Sequence, residues 1–181
     1  MEGYAWVTLG ADDSISSPTC DTTKDLITKD APCTATTNWD EEDSLCLTGS
    51  IPALPVEPSD DDYKNNWGVE IGVNATTDEP SGPISKSFST VTLNWTGGPS
   101  SGYRILLHKQ GELDDATYGI AAKSGTAYDI TKFSSTPWEP AKGTFLTAAD
   151  ATSIDKIMLQ VYSGGTAIEV NSLCLKSIVL K

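Results

Sequence analysis

Trp67-Gly68-Val69-Glu70-Ile71-Gly72-Val73-Asn74 decides the fold. Trp67, Val69, Ile71 and Val73 fall on one face; Gly68, Glu70, Gly72 and Asn74 fall on the other. A period of two marks a half-buried strand. The first set is core material. The second set places two glycines beside a carboxylate, with an amide following. Glycine weakens a strand interior unless something must approach the backbone there. The stretch therefore reads as a core wall on one side and the floor of a shallow polar groove on the other. The competing explanation is that the glycines relieve crowding against a neighbouring strand.

Similar alternation continues on both sides. Upstream, Tyr4 to Leu9 and Ser44 to Ile51 read as strands. Downstream, Ser89 to Trp95 places Val91, Leu93 and Trp95 together. Tyr103 to Lys109 sets Tyr103, Ile105 and Leu107 against Arg104, Leu106 and His108. Ala116 to Ala121 and Ala127 to Ile130 are short strands. Ser153 to Tyr162 turns Ile157, Leu159 and Val161 inward and Met158, Gln160 and Tyr162 outward. Ala167 to Val170 and Leu173 to Leu180 close the chain. Gly/Pro-rich segments at 78–83, 97–102 and 163–166 separate these runs, and a longer connection at 133–145 holds Trp138. Three prolines within 52–58 exclude a central strand or helix there, and Ser59 to Tyr63 reads as loop. No long stretch repeats at 3.6 residues. The pattern predicts an all-β chain, an antiparallel β-sandwich or jelly roll.

The 181 residues suffice for one sandwich domain spanning 1–181. The segment at about 10–43 has no convincing period; it is rich in Asp, Thr, Ser and Pro. A long irregular segment needs pinning. The four cysteines, Cys20, Cys33, Cys46 and Cys174, lack zinc-type CxxC spacing. An even count in a Ser/Thr/Gly-rich acidic chain points to disulfides and an oxidising, extracellular compartment. Three pairings exist. Cys20–Cys33 would close a loop of about 14 residues and constrain the irregular segment by roughly 3 kcal/mol. Cys46–Cys174 would join the first and last strands of a sandwich, which often meet.

The net charge is −13, from 25 acidic and 12 basic residues. That balance argues against nucleic acid and anionic membrane surfaces. It suits a neutral partner or a cation. No apolar run is long enough to span a bilayer. No secretory signal is present; Met1-Glu2-Gly3 reads as an expression start placed on a mature domain, so this does not argue against export.

Catalysis is hard to assemble. The single histidine, His108, has no neighbouring partner in sequence, and no GxSxG elbow occurs. A carboxylate pair for glycoside hydrolysis would have to come from acidic residues that mostly sit in polar loops. A sugar site needs fixed polar groups and an aromatic face. If the organising strand lies near strands 103–109 and 155–162, their outward sets converge: Glu70 and Asn74, Arg104 and His108, Gln160 and Tyr162. Glu70 and Arg104 would then orient a bidentate contact, or form a cross-strand ion pair that only steadies the sheet. Trp67 and Trp95 fall on core faces; Trp6 is core or edge. Trp39 and Trp138 lie in polar loops, where an exposed ring suits stacking or caps an end of the sandwich. Asp60-Asp61-Asp62 is too contiguous for an EF-hand loop. Scattered carboxylates and carbonyls suffice for a structural calcium, but no cofactor is called for. Asn74-Ala75-Thr76 and Asn94-Trp95-Thr96 fit the glycosylation sequon.

The order of motifs over about 44–181 resembles galactose-binding-like β-sandwich modules of secreted bacterial polysaccharide-degrading enzymes and surface proteins. The residues carrying the likeness are the strand 67–74, Gly102-Tyr103-Arg104-Ile105, Tyr118, Phe133 through Trp138, Ile154-Asp155-Lys156-Ile157-Met158-Leu159-Gln160-Val161, and Leu173-Cys174-Leu175. The family pattern has a Cys after the Tyr and another before the Trp. Gly119 and Pro137 stand there instead, consistent with one absent disulfide, which leaves Cys46 and Cys174 for each other. The resemblance implies a non-catalytic carbohydrate-binding module, often with a structural calcium. The expected partner is a polysaccharide or oligosaccharide. The expected form is a monomeric unit of a larger multidomain protein. The alternative is a structural or adhesion domain making protein contacts on a cell surface, with segment 10–43 as the contact.

Overall fold

The computed structural model describes residues 4–10, 14–19, 35–36, 45–76, 78, 80–113 and 115–181. The alternating stretches form strands β1 (Tyr4–Leu9), β2 (Ser14–Thr19), β3 (Ala35–Thr36), β4 (Leu45–Ile51), β5 (Gly68–Asn74), β6 (Thr90–Thr96), β7 (Tyr103–Lys109), β8 (Thr117–Ala121), β9 (Ala127–Asp129), β10 (Ile154–Tyr162) and β11 (Ile168–Leu180). They pair into two antiparallel sheets. One has the order β3-β1-β5-β10-β7-β8; the other has the order β2-β4-β11-β6-β9. The inward sets of both sheets meet in one core. Val69, Ile71 and Val73 of β5, with Ile157 and Leu159 of β10, share it with Val91 and Leu93 of β6 and Leu173 and Leu175 of β11. Each such fully buried side chain contributes roughly 1.5–3 kcal/mol of transfer free energy. The chain is an all-β sandwich, as the alternation predicts.

Three local differences have physical causes. Segment 10–43, expected to be irregular, contains β2 and β3. Both are edge strands, so the proline of Ser17-Pro18-Thr19 costs no central ladder bond. Ser59 to Tyr63, expected as loop, instead caps and opens a short helix, α1 (Asp60–Asn65). Ser59 caps it: its Oγ accepts from the Asp62 amide at 3.2 Å, while Asp62 Oδ2 accepts from the Ser59 amide at 2.7 Å. That reciprocal box and three first-turn aspartates at the positive helix end nucleate the turn. Finally, 167–170 and 173–180 are one bulged strand, β11, bent where Ser172 takes φ 47°.

Cys46 and Cys174 face each other across β4 and β11 and form a disulfide. Cys20 and Cys33 lie outside the described residues. The bridge points to a compartment outside the reducing cytoplasm. No helix among the described residues is long and apolar enough to cross a membrane.

Candidate functional site

Register places the outward residues of the six-stranded sheet in cross-strand rows. One row runs Thr8, Glu70, Gln160, Arg104, Ala121. The next runs Trp6, Gly72, Met158, Leu106, Gly119. A third runs Asn74, Lys156, His108, Thr117. The convergence expected of β5, β7 and β10 is present, with β10 between the other two.

The first row is a polar relay. Gln160 Nε2 donates to Glu70 Oε1 at 3.2 Å, and Arg104 Nη1 donates to Gln160 Oε1 at 3.4 Å. The Arg104 guanidinium lies 4.0 Å over the centre of the Tyr162 ring. Gln160 is buried; Glu70, Arg104 and Tyr162 are half-buried. Burial pushes the Glu70 carboxyl up to about 7, with the Gln160 amide pulling the other way. Burial also lowers Arg104, opposed by Tyr162. The bidentate Glu70–Arg104 contact is absent, because the strand that separates them inserts its own amide.

The glycines serve the protein's own groups. A Cβ on Gly72 would overlap the Trp6 ring, which crosses the sheet face from β1. Gly68 has φ 113°, and a Cβ there would run into the Val161 carbonyl oxygen. Crowding against neighbouring strands, not an open groove floor, explains both. Asn74 belongs to the same arrangement: its Oδ1 accepts from Trp6 Nε1 at 2.8 Å. Asn94, the other sequon residue, donates to Ser177 Oγ at 2.8 Å. Both sequon amides are thus engaged within strands.

His108 is not presented to a ligand. Its side chain is 3% exposed; Nδ1 lies 2.6 Å from Asp155 Oδ1, and Nε2 donates to the Leu113 carbonyl at 3.0 Å. Asp155 reaches it because a bulge in β10 falls between Ile154 and Lys156. Trp95 is core, its ring 4.9 Å from that of Tyr103. Trp67 is half-buried just before β5. Trp39 lies outside the described residues.

Trp138 is 64% exposed. It borders a shallow cleft of about 250 Å³ with Glu112, Asp115, Ala116, Thr117, Tyr118 and Ser135. The connection that carries it folds back over the sheet face. Ser134 bridges to Gly119, and a Cβ on Gly119 would press on Pro137 and Leu106. Tyr118 Oη donates to Glu112 Oε1 at 3.3 Å. Lys109 Nζ pairs with Asp150 at 2.9 Å and Glu112 at 3.3 Å behind it. Sequence reasoning found Trp138 but not Glu112, Thr117, Tyr118 or Ser135. Only the pairing of β8 with β7 and with Ser134 assembles them. Thr117 is also the end of the row that contains His108, so the cleft and the polar row share one face. They are four residues apart along β7, or about 13 Å.

Among the described residues, no group of three His, Cys, Asp or Glu side chains stands close enough to hold a metal ion. Asp60, Asp61 and Asp62 are committed to the first turn of α1. No family model matches the chain, and no curated protein matches it.

Proposed function

We propose that this chain is a non-catalytic carbohydrate-binding module. On this reading it takes a polysaccharide or oligosaccharide on the outer face of its six-stranded sheet and works as one unit of a larger, secreted protein. The observation that carries the proposal is the row Glu70–Gln160–Arg104 with the Tyr162 ring stacked against its arginine. It offers fixed polar groups beside an aromatic ring, in the proportion a sugar hydroxyl edge and C–H face require. Among the described residues, much of its hydrogen-bonding capacity is unspent. A guanidinium has five N–H donors, and Arg104 directs one to Gln160. The exposed Trp138 ring and its cleft add a stacking surface on the same face. The Cys46–Cys174 bridge supports an oxidising compartment.

Affinity gel electrophoresis against a panel of soluble polysaccharides tests this. Retardation by at least one glycan is expected, weakened in Arg104→Gln and Trp138→Ala. No retardation with any glycan at high loading removes the proposal.

A further inference from the structure

Arg104 is the chain's single arginine, within a net charge of −13. Lys64, Lys109, Lys142 and His108 each make an ion pair with a described carboxylate. Among the described residues Arg104 pairs with no carboxylate, in a chain whose acidic residues outnumber basic ones 25 to 12. Its contacts are the 3.4 Å bond to Gln160 and the Tyr162 ring. Glu70, the carboxylate on its row, stands two strands away, about 10 Å by strand spacing. A half-buried guanidinium has lost hydration and regained little. Tyr162 covers one ring-like face of it, while its N–H donors lie around the edge. Arginine at such a position matches a planar oxyanion bidentately, which lysine cannot do.

We infer that Arg104, stacked on Tyr162, receives a single carboxylate carried by the bound glycan, so that the ligand contains a uronic acid residue. This rests on the carbohydrate-binding reading above. The overall negative charge limits the ligand further. A dense polyanion would meet repulsion across the whole surface. One carboxylate seated on Arg104 is shielded from distant charges beyond a Debye length of about 8 Å. The ligand is therefore a largely neutral glycan with isolated uronates.

The lone arginine supplies its own probe, because its side-chain Nε–H gives one NMR resonance. The methyl glycosides of glucuronic acid and galacturonic acid are titrated into the protein at millimolar concentrations. The glycosides of glucose and galactose, and galactose 6-sulfate, serve as comparison arms. Uronides are expected to shift the Arg104 resonance and bind roughly tenfold more tightly than the neutral glycosides. Arg104→Lys, with its backbone spectrum otherwise intact, is expected to erase that preference. Shifts from the neutral glycosides alone overturn the inference and leave the carbohydrate reading standing. Binding of the sulfate ester without the uronides also overturns it. Silence from every sugar, together with no retardation on the polysaccharide panel, removes both.

Discussion

Glu70 and Arg104 sit two strands apart on one sheet face, joined through the Gln160 amide instead of touching. The amide gives its N–H to the acid and its oxygen to the base. Each ionisable group is thereby held in place without a direct ion pair between the two. That arrangement leaves two partly desolvated groups on one surface, and it governs how the protein should respond to pH.

Glu70 is pushed up to about 7, so the folded state holds a proton that the unfolded state releases near the ordinary 4.5. Its contribution is fully present below about 4.5 and is lost as pH rises through about 7. The ceiling over that window is about 3 kcal/mol, and solvent access to a half-buried carboxylate brings it nearer 1–2 kcal/mol. Glu70→Gln should keep the Gln160 contact and flatten this limb. Thermal melts at intervals from pH 4.5 to 8 check it. The wild type should lose about 2–8 °C relative to the variant across the window. Parallel profiles would mean that Glu70 titrates normally.

Asp150 has the opposite sign. The Thr147 hydroxyl and amide, both at 2.7 Å, and then Lys109 at 2.9 Å, pull its carboxyl down to about 2. The stabilisation is present above the ordinary 3.8 and disappears as pH falls towards 2. Asp150→Asn should cost about 1–2 kcal/mol at pH 7 in denaturant titrations. That deficit should vanish near pH 2. A deficit unchanged at pH 2 would make the loss one of shape, not charge.

The sandwich was legible because its core faces alternate over most of each strand; β5, β7 and β10 from Ile157 onward follow the expected faces. The polar row was legible for the same reason, since register on a half-buried sheet is set by that alternation. The meaning of the glycines was not. Gly72 yields to Trp6, more than sixty residues away in sequence, and nothing near Gly72 announces the ring. His108 was misjudged through the same gap. Alternation places it outward, but its partner Asp155 becomes available only through a bulge. The Trp138 cleft draws on the 110–116 and 133–146 connections, whose fold-back no local period encodes. Helix α1 was readable in principle, from Ser59 followed by Asp62.

The His108–Asp155 pair, 3% and 5% exposed, should be structural. Removing one partner strands the other without water, which typically costs about 3–5 kcal/mol. Asp155→Ala, which deletes the acceptor altogether, should therefore lower the melting temperature by roughly 6–20 °C. Glycan affinity of the folded fraction should remain within about twofold. A selective loss of affinity with unchanged stability would instead move His108 into the binding surface.

Trp138 makes the reverse case. A ring 64% exposed contributes little to the core, so Trp138→Ala should leave the melting temperature within a degree or two. If the ring stacks on sugar, the same substitution should weaken binding by about 1–3 kcal/mol, a hot-spot-sized loss. Trp95→Ala supplies the contrast. That ring is 7% exposed and packs on Tyr103, so its removal should cost about 3–5 kcal/mol of stability. Calorimetric titration of both variants, alongside their melts, separates the two roles. An aromatic whose loss changes neither stability nor affinity would leave the cleft an incidental fold of the 133–146 connection. The binding surface would then contract to the row running from Glu70 to Arg104, where one arginine and one tyrosine must do the recognition alone.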